Sequence, residues 1–225
     1  ARVLREQCSG VTWELNTAEI FVFSALQWLG RWKELARRFE DFIRSAQARG
    51  DRYAETHAML ETSWYVELTR DNPDVAKDKL ARAFAHKSGD AFDWHDFLYL
   101  LGSTSVDLYT GDAVSAKRRM DDAWSGLRSA LMFEIYLARQ ECNSLRTRAR
   151  IACAADPHVS RRDRDALLHD AEKDIAKIFE EDPHVWPRAN AAIFRAGIAS
   201  IRGERDLART LMERAEQAFA AADME

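Results

Sequence analysis

The chain carries a recurring pattern of small and apolar positions. A short break is followed five residues later by a packing position, and further ones follow at +4 and +7, which places all three on one helix face. Gly111-Asp112 leads in this way to Ala116, Met120 and Ala123, and Gly203-Glu204 to Ala208, Met212 and Ala215. Asp71-Asn72-Pro73 leads to Ala76, Leu80 and Ala83. Gly30-Arg31 leads to Leu35, Phe39 and Phe42, with larger residues at the small positions. Ala171, Ile175 and Ile178 form a degenerate copy. The anchors at 35, 76, 116, 171 and 208 stand 41, 40, 55 and 37 residues apart, in the range of stacked helix pairs. Alanine at such a position signals close approach, because a helix wedged between its partner and the next pair has no room for a branched side chain.

The breaks follow capping chemistry. Asp51 and Asp112 stand where an N-cap is needed, each after a glycine suited to a left-handed stop. Asn72 can cap with Pro73 at the first helical position, and Ser160 with Asp163 approximates a capping box. The pattern predicts ten helices, over 2–29, 31–48, 52–69, 73–87, 94–110, 112–127, 131–155, 161–181, 187–202 and 204–222. The most loop-like segments are 87–93 and 155–160. The expected fold is all-α: an α-α superhelix of about five antiparallel helix pairs, tetratricopeptide-like, forming a single domain over residues 1–225.

Composition agrees with this and removes alternatives. Gly 9 and Pro 4 together are about half the usual share, too few for the many tight turns of a sheet protein. Alanine is the commonest residue, 36 of 225, and favours helix. A net charge of −4 and a pI near 5.9 argue against a nucleic-acid partner. Cys8, Cys142 and Cys153 are odd in number and scattered, which points to a reducing, cytoplasmic setting. Arg2, Arg5 and Glu6 interrupt any apolar leader. The longest uncharged run in the first fifty residues, 20–30, falls short of the roughly 20 residues that a membrane helix needs. The chain begins Ala-Arg-Val without an initiator Met, so a piece of a longer protein is expected.

Several phrases carry a resemblance. They are Cys8-Ser9-Gly10-Val11-Thr12-Trp13-Glu14-Leu15-Asn16-Thr17, Trp28-Leu29-Gly30, Glu34-Leu35-Ala36-Arg37-Arg38 and Ala48-Arg49-Gly50-Asp51-Arg52-Tyr53. Asp107-Leu108-Tyr109-Thr110-Gly111-Asp112 and Arg195-Ala196-Gly197-Ile198-Ala199 follow later. From Cys8 to Phe219 the chain resembles the C-terminal tetratricopeptide-like helical-repeat region of large bacterial protein Ser/Thr kinases. In that family a kinase domain comes first, then an ATPase-like module, then the repeats. Related repeat tails end bacterial cyclases and ATPase-type transcription regulators. The resemblance implies a regulatory or interaction segment rather than a kinase. Neither a Gly-x-Gly-x-x-Gly loop nor a Gly-x-x-x-x-Gly-Lys-Ser/Thr loop occurs, and His-Arg-Asp and Asp-Phe-Gly are absent.

Other chemistry reads as structural. His95-Asp96 and His169-Asp170 are neighbours whose side chains diverge on a helix, so neither is a base with its orienter. Cys142, Cys153, His158 and His169 have spacings that match no compact metal pattern; the two cysteines are expected to pack between helices. Arg161-Arg162-Asp163-Arg164 reads as a solvated helix end, and Glu180-Glu181 and Asp121-Asp122 as polar helix faces. The seven tryptophans are expected in the core, with one or two allowed to line a groove. No cofactor and no metal are expected.

The leading functional expectation is a non-catalytic scaffold that binds a protein or peptide along the first helix of each pair. A small-molecule effector domain is the alternative, and an all-α enzyme comes third. Counting back three, six and ten places from each turn gives Gln27, Ser24 and Ile20; Leu68, Tyr65 and Glu61; Leu108, Ser105 and Leu101. Ser24, Gln27, Glu61, Tyr65 and Ser105 are the expected partner-binding residues, with Tyr65 as the anchor. The competing expectation is that Leu68, Leu101 and Leu108 are simply core. Lys79 is assigned to the outer face, and Ala113 to the solvent-side first turn of its helix.

Overall fold

The computed structural model describes residues 3, 8, 10–85, 87, 89–180 and 182–222. Among the described residues there are ten α-helices and no strand. One compact unit ends at Gly89 and a second begins at Asp90, inside the segment 87–93 expected to be loop. The first unit holds α1 (Thr12–Trp28), α2 (Trp32–Arg49), α3 (Arg52–Leu68) and α4 (Pro73–Phe84). The second holds α5 (Trp94–Tyr109), α6 (Ala113–Ser129), α7 (Tyr136–Ala155), α8 (Arg161–Asp174), α9 (Val185–Arg202) and α10 (Arg205–Ala220). None of these helices is long and apolar enough to cross a membrane.

Each unit is built from helical hairpins. In the first, α1 packs on α2, α2 on α3, α3 on α4, and α1 also touches α3. In the second, α5–α6, α7–α8 and α9–α10 pack as pairs, and α7 reaches both α5 and α9. The turns of α3–α4, α5–α6 and α9–α10 share one geometry. A single residue adopts the left-handed conformation, and the next N–H reaches back to a carbonyl five residues earlier, the long bond of a Schellman stop. Asp112 N–H donates to the Asp107 carbonyl at 2.8 Å, Asn72 to Glu67 at 3.0 Å, and Glu204 to Ala199 at 2.9 Å. The left-handed residue is Gly111 (φ 80°) in the first of these and Asp71 (φ 58°) in the second. A glycine suffers no Cβ clash there.

Beneath two of these turns lies a buried carboxylate. Glu67 is 4% exposed and pairs with Lys79; Asp107 is 6% exposed and takes two bonds from Arg119, at 3.1 and 3.0 Å. In both hairpins the cation stands twelve residues after the acid. Lys79 is therefore not a free outer-face residue: it neutralises a charge that burial would otherwise make costly.

The packing pattern holds with three corrections, the first being Ala123, which is half-buried. Leu35, Phe39, Phe42, Ala76, Leu80, Ala83, Ala116 and Met120 are all buried. Phe23 of α1 meets Phe39 and Phe42 edge-on, at centroid distances of 6.3 and 5.5 Å. Beyond Ala171 and Ile175, however, the backbone widens into a π-helical stretch, Ile175–Glu180. The extra residue per turn moves the inward position from Ile178 to Phe179, which is fully buried against Phe194 at 5.2 Å. In α10, Met212 is 50% exposed and Ala208 half-buried, while Ala215 is buried. Among the described residues α10 packs on α9 alone, so its far side stays in solvent.

Helix boundaries differ in three places. Val3 is helical, but the helix expected over 2–29 is interrupted by a left-handed Gly10 (φ 73°) and a non-helical Val11, and α1 starts at Thr12. Residues 2, 4–7 and 9 lie outside the described residues. The helix expected from 131 begins at Tyr136, because Leu131 is left-handed (φ 55°), Met132–Glu134 form a 3₁₀ turn and Ile135 is extended. In the third, expected over 161–181, α8 gives way to the π-helical stretch after Asp174, and Glu181 lies outside the described residues. Asp51, Asp112 and Ser160 cap as expected, accepting from Ala54, Ser115 and Asp163 backbone N–H groups. Asn72 makes no side-chain cap; only Pro73 at the first position matches the expectation.

Ala116 is fully buried. Ala113 is half-buried rather than open, its carbonyl accepting the Cys153 thiol at 3.0 Å; Val114, 61% exposed, is the true solvent position. Ala116→Glu should cost more than the 1–3 kcal/mol typical of overpacking, since it also buries a charge, whereas Val114→Glu should change stability by less than about 0.5 kcal/mol. Thermal or urea unfolding of the two variants checks this. Equal losses would show that the packing register is misassigned.

Candidate functional site

Four of the five expected binding residues lie in the first unit, on α1 and α3. The spacing 57, 61, 64 puts His57, Glu61 and Trp64 along one side of α3. α1 runs beside it and supplies Ser24 and Gln27. The Ser24 hydroxyl donates to Glu61 Oε1 at 2.9 Å, and the other carboxylate oxygen stands 3.4 Å from His57 Nε2. Because Ser24 donates to the carboxylate and not to the imidazole, the three do not form a nucleophile with its base. The arrangement is one of binding groups.

About one turn further along come two buried donors, the Gln27 side-chain amide Nε2 and the Trp64 indole Nε1, neither of which has a hydrogen-bond partner. Trp64 is 6% exposed, so its N–H has lost water without a replacement. An unsatisfied buried donor costs about 1–3 kcal/mol. Tyr65 stands beside them, stacked on Trp32 at 5.9 Å and on Trp64 at 3.5 Å. It packs half-buried against the core that contains Phe23 and Phe39. It is thus wedged between aromatic rings rather than projecting freely.

Ser105 sits on α5 in the second unit, half-buried, with Leu101 and Leu108 half-buried on the same helix. Leu68 is half-buried as well. Neither the open groove nor the filled core describes these leucines fully. Of the seven tryptophans, Trp64 is buried, Trp94, Trp124 and Trp186 are half-buried, and Trp13, Trp28 and Trp32 are exposed. The expectation of a mostly core role fails for those three.

Other singled-out groups find structural work. Asp96 closes a capping box with Asp93. Arg164 donates to the Ala154 and Asp156 carbonyls at the end of α7, which takes it out of any basic patch. Asp121 pairs with Lys117 and Arg146, and Glu180 with Arg195. Cys142 and Cys153 are buried free thiols; burial and the neighbouring Glu141 push Cys142 up to about 12, far from a reactive thiolate. No group of three potential metal ligands gathers among the described residues.

Three features were not legible in the pattern. A cleft of about 580 Å³ lies between α1 and α2, lined by Thr12, Asn16, Glu19, Arg38, Ser45 and Arg49 among others. Asp182, otherwise only a helix boundary, gathers Tyr136 Oη at 2.9 Å, Gln140 Nε2 at 2.9 Å and His184 Nδ1 at 2.8 Å. Burial and this carboxylate push the Tyr136 phenol up to about 12. The third feature is Glu141 on α7, whose carboxyl is pushed up to about 7 by burial, only partly offset by Arg148.

A carboxyl raised from an ordinary value of 4.5 to about 7 holds its proton longer when folded than when unfolded. Stability therefore falls as pH rises between these values. Replacing the group with its neutral isostere removes that fall. Glu141→Gln should leave stability unchanged near pH 4 and raise it by on the order of 1–3 kcal/mol at pH 8, as read by urea unfolding at both pH values. An identical pH dependence in parent and variant would show that the carboxyl is well solvated.

Compared with protein-family models, curated proteins and solved structures, the chain matches none.

Proposed function

We propose that this chain is a non-catalytic, tetratricopeptide-like scaffold that binds a protein or peptide, and that it serves as the regulatory tail of a cytoplasmic bacterial Ser/Thr protein kinase. The observation that carries the binding part is the pair of unsatisfied buried donors, Gln27 Nε2 and Trp64 Nε1, beside the Ser24–Glu61 pair. A peptide backbone offers what these donors lack, a carbonyl acceptor, and Glu61 offers a charge to orient a basic or hydroxyl group. Tyr65, held rigid by Trp32 and Trp64, supplies an aromatic surface at little entropic cost. The hairpin-by-hairpin packing within each unit supports a repeat architecture of the kind that presents first-helix faces to a ligand. The kinase assignment rests on the sequence resemblance from Cys8 to Phe219.

A second reading has one observation in its favour. The cleft between α1 and α2 is of a size that suits a small polar effector.

The test is capture of binding proteins with the immobilised chain, then calorimetry on the captured partner. Gln27→Ala removes an orphaned donor with little loss of packing, and Tyr65→Ala removes the aromatic surface; each should weaken binding at least tenfold. Lys77→Ala, exposed on α4, should bind as the parent does. If Gln27→Ala and Tyr65→Ala both fold and bind with parental affinity, the inner-face reading fails.

A further inference from the structure

Among the described residues, part of α1 is left uncovered. This helix carries two charges in 17 residues, Glu14 and Glu19, and Glu19 is buried against Arg38. α2, one residue longer, carries eight charged residues. A helix that is apolar around its circumference is one that has neighbours on all sides. α2 and α3 cover one side of α1, where Phe23 and Leu26 are 0% and 6% exposed. On the other side Trp13, Phe21 and Trp28 remain 67%, 70% and 42% exposed. Their spacings of eight and seven residues bring all three onto one face, two turns apart.

We propose that this face is the contact between two copies of the chain, with α1 packed against α1 in antiparallel fashion about a two-fold axis near Phe21. The pattern is self-complementary, which a two-fold contact requires. With the axis at Phe21, each Phe21 meets its copy, Thr17 lies opposite Ala25, and Trp28 lies opposite Glu14, next to Trp13. Large side chains thus stack at the axis and at both ends, with the small pair Thr17 and Ala25 between them. Aromatic side chains present about 150–250 Å² each, so exposures of 67%, 70% and 42% leave roughly 400 Å². That is about half of the ~800 Å² per partner of a standard interface, supplied by three residues alone. Glu14 is the one exposed charge on α1, so little must be desolvated. Ser24, bonded to Glu61 on α3, falls within the same arc, so the contact adjoins the residues of the recognition reading, but it rests on the exposed aromatic side chains alone.

Sedimentation equilibrium of the 225-residue chain tests it. A dimer that dissociates on dilution is expected. Phe21→Asp places a charge on the axis at an exposed position, and should give a monomer with the parent's helix content. Val114→Asp, also exposed but on α6, should remain dimeric. As a second measurement, Phe21→Cys in a Cys8→Ser background should cross-link to itself under mild oxidation, since residues on the axis face each other. A parent chain that stays monomeric at every concentration overturns the proposal. So does a dimer that survives Phe21→Asp, or a Phe21→Cys chain that forms no covalent dimer.

Discussion

Two hairpins of this protein are tied by the same interaction, a carboxylate buried just before the turn and a cation twelve residues further on. Glu67 with Lys79 joins α3 to α4, and Asp107 with Arg119 joins α5 to α6. The acid's own backbone carbonyl receives the long bond of the turn, so one residue holds the loop with its main chain and the second helix with its side chain. Once that is fixed, the face of the second helix is fixed too. Ala76 and Ala116, nine residues after the acid, point inward, and no larger residue would fit there. A buried charge is costly alone, which is why the cation's position is specified and not merely favourable.

The local grammar was legible because it is short-range. A left-handed stop, a cap and an alanine five places on are all within one turn or two of each other, and seven of the ten helices lie within a few residues of their expected limits. The misses were tertiary. The π-helical widening at Ile175–Glu180 follows no propensity, and it alone moved the buried residue from Ile178 to Phe179. Met212 obeys the period but lacks a neighbour to bury it. The role of Lys79 was invisible because an exposed-looking lysine and one bonded to a buried glutamate have the same letter; only the repeated spacing of twelve, acid to base, carried a signal.

Legibility of the candidate site was similarly divided. Counting back from the turns placed Ser24, Gln27, Glu61 and Tyr65 on neighbouring helix faces, and the Ser24–Glu61 bond brings two of them together directly. Counting could not tell that Tyr65 would be clasped between Trp32 and Trp64, nor that Gln27 and Trp64 would be left with donors unsatisfied. Those depend on how α1 and α3 meet. Ser105, reached by the same count, belongs to the other unit and acquires no comparable surroundings. α1 shows the same limit from the opposite direction: its scarcity of charge is plain in the sequence, but only the packing reveals which of its apolar residues stay uncovered.

The claim on which the hairpin architecture stands is that the buried acid and its cation act as one unit. A double-mutant cycle on Asp107→Asn and Arg119→Met, measured by urea unfolding, tests it most directly. Each single variant strands a polar group and should be destabilised, and the double variant should be less destabilised than the sum, with a coupling of about 1–3 kcal/mol. Additive effects, with a coupling near zero, would contradict the account.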